Sequence, residues 1–315
     1  MRAIQIHSFG GPEVLQLDEV TPPLLEVGHV IVHTRAAGVN PIDWKTREGG
    51  GAASFSGGVP LILGWEMSGE IESVGTGISI FNPGDAVMGL LNFPQPGRCY
   101  AEQVNANAAH LVLKPKNLSF AEAAALPLAG LTAWQALYDH AHLQAGQRVV
   151  ISAAAGGVGH LAVQIAKAAG AEVIAVASQA NHDYLRQLGA DAMIDYHSTE
   201  LSDAVQDVDI ILDGVGGLSA VQACRCLNHN GIMVTLPSAT AQQVIDAASQ
   251  TGHRVTGMRV VPNADQLQEL ADLAEQGKLR VEVAARFPFT EVAAAHQASQ
   301  SGKTRGKIVL EFPAG

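Results

Sequence analysis

Cysteine is scarce in this sequence of 315 residues. Only Cys99, Cys224 and Cys226 occur, and their spacing forms no disulfide framework. A small odd number of unpatterned cysteines excludes a disulfide-stapled scaffold and is typical of a reducing compartment. We therefore predict a cytoplasmic protein.

Long apolar runs and excess positive charge are also missing. The two most apolar stretches, residues 123–138 and 149–166, are interrupted by proline, glycine or polar side chains, and Arg2, Gln5 and His7 stand where a signal peptide would be apolar. The formal net charge of -11 repels phosphate backbones and anionic lipids. We expect neither a nucleic acid nor a membrane as partner.

Enough apolar residues remain for about two ordinary globular domains, since 47% of the chain is hydrophobic. As far as Phe120, short β-rich runs between Gly and Pro predict a mainly antiparallel, barrel-like unit. From residue 149, β-branched runs alternate with Ala-rich helical segments, which predicts a doubly wound parallel sheet of α/β class. The sequence thus predicts a first domain at 1–121, completed by about 262–315, and a second at 122–261.

A glycine-rich loop joins the first strand of the second domain to a helix. Against the fingerprint G-x-G-x-x-G, Ala154 stands at the first glycine, with Gly156 and Gly159 at the second and third, so the strict pattern fails by one residue. Backbone N–H groups at such a helix start bind pyrophosphate. We assign Gly156, Gly157, Val158 and Gly159 to a dinucleotide cofactor, with a ligand-free, closely packed turn as the alternative.

The choice between NADPH and NADH depends on a residue about 20 positions beyond the loop. Ser178 stands where a chain that reads the ribose 2′-hydroxyl of NAD carries Asp or Glu. Ser178, Asn181, His182 and Arg186 offer hydroxyl, amide and cationic groups to a 2′-phosphate, so we predict NADPH. Simple helix-start chemistry is the alternative explanation for Asn181 and His182.

Three segments together resemble a known family. They are residues 36–49, residues 63–75, and the loop 153–159 with Gln164. The chain resembles the zinc-independent quinone oxidoreductase and zeta-crystallin group of the medium-chain dehydrogenase/reductase superfamily, close to its alkenal/enone reductases. The resemblance implies a GroES-like first domain, a Rossmann cofactor domain, an active site in the cleft between them, and a homodimer paired through an edge strand near 254–261.

The zinc-dependent alcohol dehydrogenases of this superfamily carry a Cys and a His where this chain has Asn40 and Trp65. Their structural zinc also needs four cysteines, and this chain has three. We therefore predict no metal. Without a Lewis acid, hydride transfer needs an electron-poor acceptor, namely a quinone or an α,β-unsaturated carbonyl.

The resemblance also implies roles for individual residues. Asn40 and Lys45 are expected at the catalytic centre, although Asn40 could simply hold a turn and Lys45 could be a solvated surface lysine. Asp43 and Glu66 are interpreted as structural hydrogen-bond partners. The expected cofactor contacts outside the glycine loop and the 2′-phosphate group are Thr132, Tyr196 and Arg305, and the expected apolar pocket wall, whose residues are equally typical of a core, is Trp44, Trp65 and Phe93.

Two other functions remain open. A non-catalytic NADPH-binding protein, crystallin-like or a sensor, would bind the cofactor without turnover. An NAD-linked alcohol dehydrogenase would contain stoichiometric zinc and bind NADH more tightly than NADPH.

Overall fold

The computed structural model describes residues 1–313. The strands are numbered in chain order: β1 (Arg2–Ile6), β2 (Leu15–Glu19), β3 (His29–Val39), β4 (Leu61–Ile62), β5 (Glu66–Val74), β6 (Ala86–Leu90), β7 (Gln103–Asn107), β8 (Leu111–Leu113), β9 (Arg148–Ile151), β10 (Glu172–Val176), β11 (Ala192–Ile194), β12 (Val208–Asp213), β13 (Leu227–Thr235), β14 (Arg254–Gly257), β15 (Val283–Pro288) and β16 (Lys307–Glu311).

The α-helices are numbered in the same way: α1 (Pro41–Arg47), α2 (Phe120–Ala125), α3 (Pro127–Trp134), α4 (Gly159–Ala168), α5 (His182–Gln187), α6 (Leu201–Ala204), α7 (Gly217–Ala223), α8 (Ser238–Ser249), α9 (Ala264–Glu275) and α10 (Val292–Gln300). A π-helical segment, Gln135–His140, follows α3 directly. In the part of the chain that the structure describes, no helix has both the length and the apolar character to cross a membrane.

The first compact unit is built on antiparallel strands. One sheet has the order β2-β1-β4, and a larger one has the order β15-β16-β3-β5-β6-β8 with β7 also paired to β3. Of the strand pairs that this unit has within residues 1–313, only β15 with β16 is parallel. Apolar side chains along β3 and β5, including Val30, Val32 and Met67, are fully buried and form the core of this unit. The predicted β-rich, GroES-like domain is confirmed, and β16 completes it from the end of the chain.

The second unit holds a six-stranded parallel sheet in the order β11-β10-β9-β12-β13-β14. The chain starts at β9 in the middle, proceeds outwards through β10 and β11, and then returns to the other side of β9 with β12. Such a reversal is the switch point at which open α/β sheets bind their ligands. The predicted doubly wound Rossmann domain is confirmed.

The first unit ends at Leu131 and resumes at Val261, and Lys278–Arg280 belongs again to the second unit. The sequence placed the first of these bounds at residue 121. The difference arises because α2 packs against β3 and β5 of the first unit. The capping box predicted at the start of α2 is present: Glu122 accepts the Ser119 N–H at 2.8 Å, and the Ser119 hydroxyl accepts the Glu122 N–H at 3.3 Å.

Candidate active site

The glycine-rich loop lies between the end of β9 and the start of α4. Its first residue, Ala153, has φ of +49°, a left-handed conformation that usually favours glycine. At Gly159 a Cβ would press against the Ala153 carbonyl oxygen and lie 2.7 Å from Ala154 Cα. Only glycine allows this close approach of helix and loop, and it leaves N–H groups at the start of a ten-residue helix. The loop therefore fits a pyrophosphate group.

Asp213 joins the carboxyl ends of neighbouring strands in this sheet, and it was not among the residues predicted from the sequence. The side chain is 2% exposed at the end of β12. It accepts hydrogen bonds from the Ser152 hydroxyl at 3.1 Å and from the Thr235 hydroxyl at 2.7 Å. The Ser152 oxygen in turn accepts the Gly214 N–H at 2.9 Å. One buried carboxylate thus joins the ends of β9, β12 and β13 at the switch point. An aspartate at the end of an apolar strand was the available signal.

The residues predicted to read the 2′-phosphate lie together just after β10, the strand beside β9. The Asn181 side-chain N–H donates to the Ser178 hydroxyl at 3.1 Å. The His182 Nε2 lies 3.3 Å from the Ala177 carbonyl oxygen. The nearest carboxylate in sequence, Asp183, is exposed and pairs with Arg186 at 2.5 Å. These contacts place a hydroxyl, an amide and an imidazole at one strand end.

Two further predicted cofactor residues lie in other parts of the second unit. Tyr196 follows β11, is 59% exposed and packs against the His197 ring with centroids 4.2 Å apart. Thr132 lies in α3 and is partly buried. Arg305 belongs instead to the first unit, where its side chain is about half exposed and lies 3.9 Å from the Glu282 carboxylate.

Asn40 caps helix α1, on which Trp44 and Lys45 also lie. The Asn40 N–H donates to the Asp43 carboxylate at 2.6 Å, and Pro41 at the first helical position needs no N–H partner. The Lys45 ammonium lies 5.4 Å from the centre of the Trp44 ring, within cation–π range. Within residues 1–313 the buried Trp44 Nε1 has no hydrogen-bond acceptor. Three predicted site residues, Asn40, Trp44 and Lys45, therefore lie together on or at the start of one short helix.

The Asn40 side chain lies in a buried polar cluster. Its Nδ2 donates to Glu66 Oε1 at 2.7 Å, and its Oδ1 accepts from the Lys307 ammonium. Lys307 also pairs with Glu66 at 2.8 Å, while Glu66 Oε2 accepts the Leu128 N–H at 2.7 Å. Glu66 is 0% and Lys307 3% exposed. These bonds give Glu66 the structural hydrogen-bond partners expected of it. They also place the Lys307 ammonium beside Asn40, whereas the basic residue predicted from this part of the sequence was Arg305.

A second buried polar cluster lies beside Asp43. Burial raises the pKa of Asp43 from 3.8 to about 7, partly offset by the Asn40 N–H. The Tyr100 hydroxyl lies 3.4 Å from His296 Nε2, and Arg47 Nη1 lies 3.2 Å from His296 Nδ1. Burial, and then the Arg47 charge, lower the pKa of His296 from 6.5 to about 3. His296 is consequently neutral at physiological pH.

The three aromatic residues predicted for the pocket wall differ in exposure. Trp65 is 1% exposed, donates to the Gln95 carbonyl oxygen at 2.8 Å and meets the Phe93 ring edge to face at 5.8 Å. A side chain this deeply buried packs the core. Trp44 and Phe93 are only partly buried, so they keep the aromatic surface that such a wall requires.

Within residues 1–313, no group of three or more His, Cys, Asp or Glu side chains is arranged to hold a metal ion. Burial raises the pKa of Cys224 and of Cys226 to about 11, so both thiols stay protonated.

Comparison with known proteins adds to this geometry. Residues 26–135 match the family model described as alcohol dehydrogenase GroES-like domain, and residues 188–310 match the one described as zinc-binding dehydrogenase. The chain is 31% identical to the chloroplast envelope quinone oxidoreductase homolog of Arabidopsis thaliana, over 99% of this chain and 98% of that protein.

Two further comparisons extend the similarity. The chloroplastic NADPH-dependent alkenal/one oxidoreductase of Arabidopsis thaliana is 31% identical over 98% of this chain and 79% of its own length. The solved structure of the quinone oxidoreductase from Coxiella burnetii is 40% identical, covers 99% of both chains and superposes with a TM-score of 0.94.

The fold and these matches define an oxidoreductase built from a GroES-like domain and a dinucleotide-binding domain. Within that class, the chain belongs to the quinone oxidoreductase family of the medium-chain dehydrogenase/reductase superfamily.

Proposed function

We propose that this protein is an NADPH-dependent reductase of quinones or α,β-unsaturated carbonyls that works without zinc. The observation that carries the proposal is the environment of Asn40. At the position where zinc-dependent members have a cysteine ligand, Asn40 is held by the buried Glu66–Lys307 pair. The similar proteins named quinone oxidoreductase and alkenal/one oxidoreductase support the same reaction.

The second unit supplies the cofactor site. Gly156, Gly157, Val158 and Gly159 would hold the pyrophosphate at the start of α4. The hydroxyl, amide and imidazole that follow β10 would receive the 2′-phosphate. Tyr196, Thr132 and Arg305 are the further proposed contacts. When bound, NADPH supplies a hydride.

The first unit supplies polar groups for the acceptor. Negative charge develops on a carbonyl oxygen when hydride adds to a conjugated acceptor, and a nearby N–H or ammonium group stabilises it. Asn40 and Lys45 are the proposed donors, because one caps α1 and the other lies on that helix. Trp44 and Phe93 are proposed to provide the apolar wall for a flat acceptor.

The decisive experiment is a panel assay of cofactor oxidation. NADPH and NADH are each tested with one quinone, one alkenal, one alkyl enone and one saturated aldehyde. Turnover of the conjugated acceptors with NADPH alone is the expected result. NADPH binding without turnover of any acceptor would favour the non-catalytic alternative.

The alcohol dehydrogenase alternative has its own observable. It requires stoichiometric zinc in the purified protein and tighter binding of NADH than of NADPH. The proposed function expects neither, so elemental analysis and two cofactor titrations separate the two functions.

Assembly and location complete the proposal. We propose a homodimer, because β14 forms one edge of the parallel sheet and an edge strand offers unpaired backbone groups to a second copy. Light scattering of the purified chain tests this. Cytoplasmic residence, and the lack of nucleic-acid and membrane partners, rest on the cysteine count and the net charge of -11.

A further inference from the structure

The buried ion pair of Glu66 and Lys307 shares one neighbour, the Asn40 side-chain amide. The amide nitrogen faces the Glu66 carboxylate and the amide oxygen faces the Lys307 ammonium. Turning the amide by half a turn would set its oxygen against the carboxylate and its NH₂ against the ammonium. Both contacts would be repulsive in a site that water does not screen. The two charges therefore fix one of the two orientations of Asn40.

The Glu66 carboxylate leaves no room for a side chain at the neighbouring position Gly38. In β3, a Cβ at Gly38 would collide with the Glu66 carboxylate and lie 2.7 Å from the Ala124 carbonyl oxygen. A buried ion pair is costly to desolvate and can often be replaced by apolar side chains without loss of stability. Stability alone is thus a weak explanation for a glycine-lined site that holds a fully buried carboxylate and ammonium.

We propose that Glu66 and Lys307 are positioning residues that hold the Asn40 amide in one orientation. An amide that already bonds to both groups still has a second N–H and a second carbonyl lone pair. Held in this way, the second side-chain N–H of Asn40 has one defined direction, and we assign it as the donor to a cofactor or acceptor oxygen. The catalytic use of Asn40 in this inference rests on the proposed function, whereas the orientation of its amide does not.

A purely structural pair is the competing explanation. Glu66 Oε2 accepts the Leu128 N–H in the first turn of α3, so Glu66 also stabilises a helix start. If this were its whole role, substituting Glu66 would lower stability, and the size of that effect would not depend on whether residue 40 carries an amide. The dependence on Asn40 is therefore the quantity to measure.

The test uses four full-length proteins: the wild type, Asn40→Ala, Glu66→Gln/Lys307→Met, and the triple variant. Changing both charged residues avoids leaving one buried charge unpaired. We expect Asn40→Ala to lower kcat by about 100-fold and the pair variant by roughly 10-fold. The triple variant should be no slower than Asn40→Ala alone, because a positioning effect disappears with the group that is positioned. Losses that multiply in the triple variant would overturn the proposal.

A second readout does not require turnover. In protein labelled with ¹⁵N-asparagine, the Asn40 side-chain resonances are assigned by their disappearance in Asn40→Ala. They should be sharp and distinct in the wild type, and in the pair variant they should be broadened by exchange between the two orientations about the Cβ–Cγ bond. Unchanged Asn40 resonances in the pair variant would refute the positioning role. A wild type that turns over no acceptor would refute the proposed function, while these resonances would still decide the inference.

The matched control removes an ion pair elsewhere on the same strand. Arg286 and Glu311 pair at 3.3 Å with both side chains about half exposed, and Glu311 lies on β16 with Lys307. Arg286→Met/Glu311→Gln should leave kcat and the Asn40 resonances unchanged. A kcat loss in this control equal to that of the pair variant would assign the effect to the strand and contradict the proposal.

Discussion

Replacing Asp43 by asparagine tests how the buried carboxyl group of Asp43 changes the free energy of unfolding with pH. Asp43 is fully buried, and its pKa is raised from 3.8 to about 7. Between these values the folded protein keeps a proton that the unfolded chain has released. The free energy of unfolding therefore falls as pH rises through this window, by about 1.4 kcal/mol per pH unit and about 4 kcal/mol in total.

His296 contributes the opposite slope. Its pKa is lowered from 6.5 to about 3, so the unfolded chain binds a proton that the folded protein does not. Stability from this group is lost as pH falls through that range. Because the two slopes overlap and oppose each other, the stability of the wild type alone would hide the Asp43 contribution. The difference between Asp43→Asn and the wild type isolates it.

The assay is urea unfolding followed by tryptophan fluorescence, at steps from about pH 4 to about pH 8. Trp44 and Trp65 both lie in the first unit with Asp43, and the new amide oxygen can still accept the Asn40 N–H. Relative to the wild type, Asp43→Asn should gain stability steadily up to about pH 7 and level off above it. A difference that does not change with pH would refute the reasoning.

Asp191→Asn is the matched control for this titration. The Lys167 ammonium and the Val173 N–H hold the pKa of Asp191 below 3.8 against the effect of burial, so its window lies at lower pH than the assay. Its difference from the wild type should stay flat over the same range.

Three further substitutions test the site and its packing. Ser178→Asp should weaken NADPH binding by at least about ten-fold through charge repulsion and leave NADH binding nearly unchanged. Cofactor titration measures both affinities, with Ser178→Ala as the uncharged control. An equal loss of affinity for both cofactors would contradict the 2′-phosphate assignment. Lys45→Ala should lower kcat more than it weakens NADPH binding, with Lys45→Arg retaining most activity, and an equal loss in both quantities would argue against a role at the acceptor. Gly38→Ala should cost about 1–3 kcal/mol in urea unfolding, because its Cβ meets the Glu66 carboxylate. In the exposed control Gly50→Ala the new Cβ meets only the Lys45 carbonyl oxygen, at 3.3 Å, and equal costs for the two variants would contradict the packing argument.

Features encoded within a few neighbouring residues were predictable. β-branched runs that alternate with helical segments indicated the parallel sheet, the glycines after β9 indicated a tight strand-to-helix turn, and Ser119 with Glu122 indicated the start of α2. Each depends on backbone preferences and hydrogen bonds between residues close in the chain. The grouping of Ser178, Asn181 and His182 was predictable for the same reason, since they occupy one strand end.

Contacts between distant residues needed the tertiary structure. Lys307 reaches Asn40 across 267 positions and Glu66 across 241, and their meeting depends on β16 pairing beside β3. No local pattern distinguishes a buried Lys307 from a half-exposed Arg305 two residues earlier, because the sheet decides which side chain faces the core. The sequence by itself determined the fold class, the glycine-rich turn after β9 and the preference for NADPH. The tertiary structure alone decided which charges are buried together, because sheet order brings them together and proximity in the chain does not.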